Sequence, residues 1–427
     1  MITRERKAAK STEKKKGGER GVKGRREIER GLGLRLAAIG MESEFVVFLD
    51  DRQVKPENVF GDPRSFVRGP LIHRIGTSYH LPTGGAVYFD TGVIEVATPV
   101  IEIERGCAAR AGRSLWESIL FIREEMDAWE REHRHDVRLA GFSSHYNISF
   151  DVPPHQQGRS RTVEKLAFLL ARILPAPVML LATNKRSTGV GVRPRGDRIE
   201  ITLDFTPSAA LMIATGAFIT GVVREVMKWP SFELDMLDKA RLPVMTDLRP
   251  IPHTSRSGWL ARYDCYPQNP FVTSPDVPVW RVRTGAVGSR DVNYELLSLR
   301  EIATRVFQYF RIGIRRIAEP FTYRMIGGVL SGRIPSLLDL PDRPPEYDDV
   351  GRLCVWDNLF PERELSRSRY ERILIRAISG KKLWMDGWRY TPVGLHGWSE
   401  VVFRRDADDT RHVYPIDFLL DHLERWG

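Results

Sequence analysis

The clearest pattern in this 427-residue chain is a strict alternation of apolar and polar residues over 198–205. Alternation with a period of two predicts a strand that packs one face into the core and turns the other toward solvent or a cavity. The segments 34–49 and 137–150 are also rich in β-forming residues, and we predict a strand in each. Polar side chains on such strands share a face, so their positions restrict where chemistry can occur.

Apolar residues at helical spacing predict four longer helices. A helix over 163–174 should stop at Pro175, and another should start at a Ser or Thr cap near Ser208 and continue to about Trp229. The remaining two are predicted over 110–131 and 294–317, the latter ending before Pro320. Helices and strands interleave along the chain without an internal repeat, which indicates a mixed fold.

A domain boundary is predicted where four prolines and five acidic residues accumulate over 335–349. We therefore expect a catalytic domain over 34–335, and a linker with a small C-terminal domain over 336–427. That small domain should contain a helix near 367–379 and a closing helix from about residue 416. Its expected core is a tryptophan cluster: Trp384, Trp388 and Trp398.

Composition places the chain among ordinary globular proteins, with 42% hydrophobic and 28% charged residues. The longest apolar run, 211–223, is too short to span a bilayer, so we expect no membrane protein. Three cysteines, Cys107, Cys265 and Cys354, stand singly, which argues against a disulfide framework or a zinc ribbon. A reducing cytoplasm is the expected compartment.

The net charge of +10 is concentrated at the N-terminus, where residues 1–30 carry 12 Lys or Arg and five Glu. This segment has few large apolar residues and no continuous apolar stretch of the kind a secretory signal needs. We predict a disordered basic tail over 1–33. Nucleic acid is an unlikely partner, except through contacts that this tail could make.

Polar residues at period two occur on four strand-like segments: Glu42 and Glu44; Tyr88 and Asp90; His145 and Asn147; Arg198, Glu200, Thr202 and Asp204. If these segments share a sheet, the polar stripes line one surface with carboxylates, a histidine and an arginine. Such a surface suits ATP-dependent carboxylate activation, in which oxygen ligands hold Mg²⁺ and a further carboxylate deprotonates the amine. Taken one by one, the same residues also fit a solvated strand face, a structural histidine or a turn.

The segment Gly40-Met41-Glu42-Ser43-Glu44-Phe45 resembles the G-x-E-x-E-F opening strand of the glutamine synthetase superfamily, particularly its Pup ligase and depupylase branch. The segment 85–99 is similar to the next motif of that branch, through Gly85, Tyr88, Asp90, Glu95 and Thr98-Pro99. His145 and Asn147 resemble its H-x-N strand. Arg198 and Asp204 resemble the first Arg and the terminal Asp of a later strand.

The resemblance implies an α+β fold with a curved, mostly antiparallel sheet cradle that is backed by helices. It implies ATP and Mg²⁺ as cofactors and Asp90 as the catalytic residue. It also implies the metal ligands Glu42, Glu44, Tyr88, Glu95 and His145, and the nucleotide contacts Asn147, Arg198 and Asp204. The implied reaction phosphorylates a glutamate carboxylate of a Pup-like modifier or peptide and joins it to an amine such as a protein lysine.

Several alternatives stay open at this level. Glutamate-cysteine ligase-like enzymes share the G-x-E-x-E pattern, and Arg198-Ile199-Glu200 fits one of their strands, whereas the Tyr88-x-Asp90 pattern favours the Pup branch. Thr91 to Ile94 stand where that branch usually has histidines. The short interval before Asp90 favours a ligase over a depupylase-like isopeptidase or deamidase. A catalytically silent binding homologue is a further possibility.

Overall fold

The computed structural model describes residues 36–150, 160–187, 189–252, 259–263, 274–283, 293–340 and 367–426. The predicted basic tail therefore lies outside the described residues, as does most of the predicted linker. All strand pairings within the described ranges are antiparallel.

Three sheets carry the strands of the fold. The large sheet has twelve strands: β1 Ala38–Leu49, β2 Arg52–Val54, β3 Ile72–Ile75, β4 Ser78–His80, β5 Ala86–Asp90, β6 Val93–Ala97, β7 Ile101–Glu102, β8 Val137–Ser149, β9 Val190–Pro194, β10 Arg198–Asp204, β12 Leu248–Pro252 and β13 Trp259–Tyr263. A three-stranded sheet contains β11 Val244–Met245, β14 Trp280–Arg283 and β15 Tyr294–Leu297. A four-stranded sheet contains β16 Leu383–Met385, β17 Trp388–His396, β18 Glu400–Arg405 and β19 Arg411–Pro415.

The order across the large sheet is β12-β13-β9-β10-β8-β1-β6-β5-β4-β3, with β2 and β7 also paired to β1. The helices are α1 Pro56–Phe60, α2 Cys107–His133, α3 Val163–Ile173, α4 Pro175–Ala182, α5 Ala209–Val226, α6 Asp235–Lys239, α7 Leu299–Ile317, α8 Pro320–Leu330, α9 Arg369–Ile378 and α10 Ile416–Leu419. Short 3₁₀ turns occupy Pro63–Ser65, Leu337–Asp339 and Leu420–Arg425. The α+β class and the predicted antiparallel sheet backed by helices are confirmed.

The main core lies between one face of the large sheet and the helices. Met41, Phe45 and Val47 of β1 are at most 1% exposed because alternate residues of a strand point to the same side. Helix α5 packs against α2, α7 and α8 behind this face. By length and composition α5 alone, or α3 and α4 as a pair bent by 62°, could cross a membrane, but 83% of α5 is buried inside the protein.

The C-terminal segment has its own apolar core. Tyr370, Leu374, Phe403 and Trp426 are fully buried within it. Helix α9 joins this C-terminal unit to the large sheet, since Arg369 donates from its backbone N–H and from Nε to Glu102 Oε1, at 2.8 and 3.0 Å. The division between the two domains at residue 335 stays a prediction.

The helix predicted to stop at Pro175 is confirmed, since α3 ends at Ile173, and a separate helix, α4, starts at Pro175, because proline is well tolerated in the first turn of a new helix. Another helix prediction needs correction. The helix predicted over 294–317 starts only at Leu299, and residues 294–297 form β15. Ser298 and Glu301 form a reciprocal capping box that fixes this start. The Ser208 cap is confirmed, and the helix after it ends at Val226 rather than near Trp229.

The predicted tryptophan core is also wrong. Trp384 and Trp388 are 56% and 45% exposed, and Trp398 is only partly buried. In β16 the period of two turns Leu383 and Met385 inward and therefore turns Trp384 outward. The buried tryptophan of this unit is Trp426.

Candidate active site

The strands that carry the four predicted polar stripes lie together in the large sheet. Strands β5, β6, β1, β8 and β10 are successive neighbours. The register pairs Glu95 with both Glu44 and Tyr88, and it pairs His145 with both Glu42 and Thr202. Directly opposite residues in antiparallel strands share a face, so the stripes meet on one surface, as expected.

Five side chains on this surface form what we call the acidic cluster: Glu42, Glu44, Asp90, Glu95 and His145. His145 Nδ1 is 3.2 Å from Glu42 Oε2 and 3.9 Å from Glu95 Oε1, and its Nε2 is 3.8 Å from Glu44 Oε1. Two ligand groups result, one of Glu42, Glu95 and His145 and one of Glu44, Asp90 and Glu95, each with its donor atoms within 4.8 Å of one another. Glu95 belongs to both groups.

Local backbone features set the position of Glu44. The pairing of β1 with β8 shifts between Glu44 and Phe45, so that Glu44 is opposite Ser143 and Phe45 is opposite Gly141. The extra residue of this bulge, Phe142, is 57% exposed. Ser143 Oγ donates a hydrogen bond of 2.6 Å to Glu44 Oε2 and thereby fixes one carboxylate oxygen.

Asp90 lies at the rim of the cluster because it is the last residue of β5. The two-residue turn that follows has positive φ at both positions, 53° at Thr91 and 98° at Gly92, which matches the twist of an antiparallel hairpin. Thr91 Oγ1 donates to Asp90 Oδ1 at 2.8 Å. Asp90 is half-buried, whereas Glu95 is 3% exposed, so Asp90 is the more accessible of these two carboxylates.

The charges of the acidic cluster are not balanced among its own members. Burial, together with the neighbouring Glu42 carboxylate, raises the pKa of Glu95 to about 9. Burial also opposes ionisation of Glu42, but the hydrogen bond and the charge of His145 lower the pKa of that carboxyl. Burial likewise disfavours the charged form of His145, although Glu42 raises its pKa overall. The cluster therefore has one imidazole to compensate the charge of four carboxyl groups.

The donor set fits divalent cations. Four carboxylates with one imidazole suit Mg²⁺ or Mn²⁺, which prefer oxygen ligands, and a cation would stabilise the ionised form of Glu95. Tyr88 lies beside this group and donates a hydrogen bond of 2.6 Å from its hydroxyl to Glu95 Oε1. Burial raises the pKa of Tyr88 well above its usual value, so this hydroxyl stays protonated and orients Glu95. Its role as a metal ligand stays a prediction.

Beyond the acidic cluster, the same face carries arginines on β9 and β10. Arg198 Nε donates to Asn147 Oδ1 at 2.8 Å. Glu200 is only 2% exposed and pairs with two arginines: Arg193 Nη2 forms an ion pair with its Oε1 at 2.6 Å, and Arg195 Nε, in the turn between β9 and β10, donates a hydrogen bond of 2.6 Å to its Oε2. Arg193 also lies 3.5 Å from His145 Nε2, so this basic group adjoins the acidic cluster.

Asp204 occupies the far end of β10 and is tied to a loop. It accepts hydrogen bonds from the backbone N–H of Asn184 at 3.2 Å and from Asn184 Nδ2 at 3.0 Å. These bonds attach the chain after α4 to the large sheet. The nucleotide roles of Asp204, Asn147 and Arg198 stay predictions.

Sequence reasoning missed Arg193, Arg195 and Arg74. Arg193 could have been found from the sequence. It lies in a short segment just before the strand 198–205, and antiparallel pairing of the two places Arg193 opposite Glu200. Arg74 lies on β3, a four-residue strand without clear alternation, so no sequence signal points to it.

Together the fold and the site define an α+β protein with a candidate dinuclear metal site beside a row of arginines. No protein-family model matches the chain, and no curated protein matches it. Among solved structures it is similar to a chain of the complex between Prokaryotic Ubiquitin-like Protein Pup and its ligase PafA, with a TM-score of 0.49 and 11% identity over 92% of this chain and 93% of that one.

Proposed function

We propose that this protein is an ATP- and divalent-metal-dependent carboxylate–amine ligase. The observation that carries the proposal is the sharing of Glu95 between two groups of metal-ligating side chains. Two cations that share a bridging carboxylate are a recurrent arrangement in phosphoryl-transfer sites. The arginines of β9 and β10 add positive charge on the same face, close enough for His145 to contact Arg193.

Each part of the site has a distinct task in this proposal. Glu42, Glu44, Glu95 and His145 would hold two Mg²⁺ ions, and bound there the ions would supply positive charge to offset the negative charge of a nucleotide's phosphates. Arg198 would face the phosphate oxygens. Asp90, half-buried at the rim, would take a proton from the incoming amine, because an ammonium ion is not a nucleophile.

For the substrates we propose a glutamate side chain at the end of a peptide or a small Pup-like modifier, and an amine such as a protein lysine. The support for this choice is the motif resemblance of residues 40–45 and 85–99. The cysteine pattern supports a cytoplasmic location. A modifier of this kind would approach the site at Asp90, which is more exposed than the buried Glu95.

The test follows phosphate release and product mass together. Native protein is incubated with MgATP, a peptide that ends in Glu and a lysine-bearing protein. We expect ADP, phosphate and a conjugate heavier by the peptide mass less water, in equal amounts. Asp90→Asn should lower conjugate formation by about 10²- to 10⁴-fold, since this is the usual contribution of a general base. Nucleotide binding should remain close to that of the native protein.

Two outcomes would contradict the proposal. Equal conjugate yield from the native protein and Asp90→Asn would remove Asp90 from the reaction. Release of the amine from a preformed conjugate, with no conjugate formed from the separate substrates, would instead identify a hydrolase that uses Asp90 to activate water. Thr91→Ser is a matched control, because it keeps the hydroxyl that donates to Asp90 and leaves the carboxylate in place.

A further inference from the structure

Trp398 connects the C-terminal unit to the edge of the large sheet. It lies in the turn between β17 and β18, and its ring stands edge-on to His80 of β4, with ring centroids 4.8 Å apart. The Cζ atom of Arg74, on β3, lies 4.8 Å from the centroid of the same indole. One tryptophan of the C-terminal unit thus contacts two residues of the strands that lead to the acidic cluster.

His80 is the buried residue that the Trp398 ring packs against. It is fully buried, and burial together with the positive charge of Arg74 lowers its pKa to about 3. A neutral imidazole under Trp398 leaves Arg74 as the charged group of this trio. An arginine that stacks on an indole is attracted by the negative face of the ring, and its guanidinium loses freedom of movement.

Arg74 lies within electrostatic reach of the acidic cluster. The carboxyl groups of Glu42 and Glu95 favour its charged form and Arg198 opposes it, and its own Nε is buried with no hydrogen-bond partner among the described residues. A buried guanidinium N–H without a partner is costly, so it is a group that a ligand anion would satisfy. A phosphate held by cations on Glu42 and Glu95 would be such an anion.

Other contacts also join the C-terminal unit to the large sheet. Ile72 of β3 packs against the C-terminal core, and Arg369 pairs with the buried Glu102 of β7. Tyr370 hydroxyl accepts from the backbone N–H of Leu36 at 3.1 Å. These contacts connect the C-terminal unit to β3, to β7 and to Leu36 shortly before β1, the strand that carries Glu42.

We propose that the C-terminal unit completes the active site: Trp398 is a positioning residue that holds the guanidinium of Arg74 where it binds the terminal phosphate of the nucleotide. This inference rests on the proposed function. Arg74 acts on the ligand directly, whereas Trp398 acts only through Arg74. The role of the C-terminal unit is then to fix the guanidinium of Arg74 on the side of the cluster opposite the arginines of β9 and β10.

The test measures binding of Mn²⁺ alone, of Mn²⁺ with the non-hydrolysable ATP analogue AMP-PNP, and of Mn²⁺ with ADP. Arg74→Gln should weaken AMP-PNP binding by about 10-fold or more, because it removes charge-assisted hydrogen bonds. ADP binding should change less, since ADP lacks the terminal phosphate. Binding of Mn²⁺ alone should stay equal or become tighter, because a positive charge has been removed from beside its ligands.

Trp398→Leu should change the three affinities in the same directions by about three-fold, as loss of a cation–π contact predicts. The double variant should be no weaker than Arg74→Gln, because Trp398 acts through Arg74. Trp388→Leu is the matched control: its ring also faces an arginine, with Arg405 Cζ 5.0 Å from the centroid, but it is 45% exposed and its described ring contact is with Arg405 of β18 rather than with Arg74. It should bind all three probes like the native protein.

The outcomes separate this inference from the proposed function. A native protein that binds neither Mn²⁺ nor AMP-PNP overturns both. Native binding of AMP-PNP that is unchanged in Arg74→Gln, or ADP binding that falls as much as AMP-PNP binding, overturns the inference alone. Additive losses in the double variant, or equal effects of Trp398→Leu and Trp388→Leu, overturn the role of Trp398. If Trp398→Leu does not fold, Trp398→Phe keeps an aromatic face for Arg74 and should bind AMP-PNP within about two-fold of native, and a loss as large as that of Arg74→Gln would contradict the proposal.

Discussion

The acidic cluster and the arginine group of β9 and β10 share one sheet face but balance their charges differently. In the arginine group, the single buried Glu200 has two cationic partners at 2.6 Å, Arg193 and Arg195. In the acidic cluster, four carboxylates surround His145, and the pKa of Glu95 rises to about 9 because burial and Glu42 disfavour its charge. In the arginine group the carboxylate is fully compensated by its own neighbours, whereas in the acidic cluster the carboxyl groups outnumber the single imidazole.

This difference separates a structural element from a candidate site. A buried carboxylate that pairs with two arginines has its charge compensated, and the pairing holds β9 against β10. A buried carboxylate with a raised pKa in a cleft is a marker of function, because folding alone gives no reason to place it there. The comparison therefore predicts that substitutions in the two groups have opposite effects, on stability in one and on ligand binding in the other.

The largest effect is expected from Glu200→Ala. This change removes the carboxylate that pairs with Arg193, which is 6% exposed, and breaking a buried ion pair in this way typically costs about 3–5 kcal/mol. We expect the free energy of unfolding in urea to fall by about that amount, while Mn²⁺ affinity of the folded protein changes little. A large loss of Mn²⁺ affinity with unchanged stability would assign Glu200 to the metal site. The arginine group would then not be a purely structural element.

Next in size is the loss of metal binding in Glu95→Gln. Because Glu95 belongs to both ligand groups, its amide should lower Mn²⁺ affinity by about 100-fold, at the upper end of what even indirect partners of a metal contribute. Glu102→Gln is the matched control, since both glutamates are 3% exposed but Glu102 pairs with Arg369 instead. Calorimetric titration measures the affinities. Equal Mn²⁺ binding in the two variants would show that the acidic cluster binds no cation.

The polar stripes of the site were predictable because a strand turns every second side chain to the same face. Glu42 and Glu44, and His145 and Asn147, could be assigned to one surface from their spacing alone. Their meeting also required that β1 pair with both β6 and β8, and the order of strands in a sheet is not encoded by period-two patterns. The resemblance of residues 40–45 and 85–99 to a known branch supplied what the pattern lacked.

Other features could not be predicted from the sequence, because they depend on contacts between distant parts of the chain. Residues 294–297 continue a helical spacing, but pairing with β14 makes them a strand and the Ser298 cap starts the helix later. Trp384 was expected inside the C-terminal core, yet the hairpin register turns it outward. Contacts such as Trp398 with Arg74 join positions more than 300 residues apart, and only packing of the two cores brings them together.

The pH dependence of stability offers a sharper test of the charge imbalance. Burial and Glu42 raise the pKa of Glu95 in the folded protein from the usual 4.5 to about 9, so between these values the folded protein holds a proton that the unfolded chain has released. This contribution to the free energy of unfolding therefore falls as pH rises from about 4.5 to about 9. We expect urea titrations without metal to show the fall, and saturating Mn²⁺ to reduce it.

Glu95→Gln removes this proton from both states and should give a shallower pH profile than the native protein or Glu102→Gln. Glu42 contributes in the opposite sense, because its lowered pKa adds stability that is lost as pH falls from about 4.5 toward 2. The two effects occupy separate pH ranges and can be read from one titration. A native profile that stays flat from pH 5 to 9 without metal would contradict the imbalance.

The smallest effect is expected from Arg195→Gln, and it tests whether the arginine group is as redundant as its geometry indicates. The Arg195 side chain is 29% exposed, whereas that of Arg193 is 7% exposed, so water can replace much of what Arg195 gives to Glu200. We expect a loss of about 1 kcal/mol or less in the free energy of unfolding, within the range of partly exposed pairs. Arg193→Gln should cost more, because it removes the inner partner of a buried carboxylate. Equal losses in the two variants would mean that Glu200 needs both arginines, and the arginine group would then not be redundant.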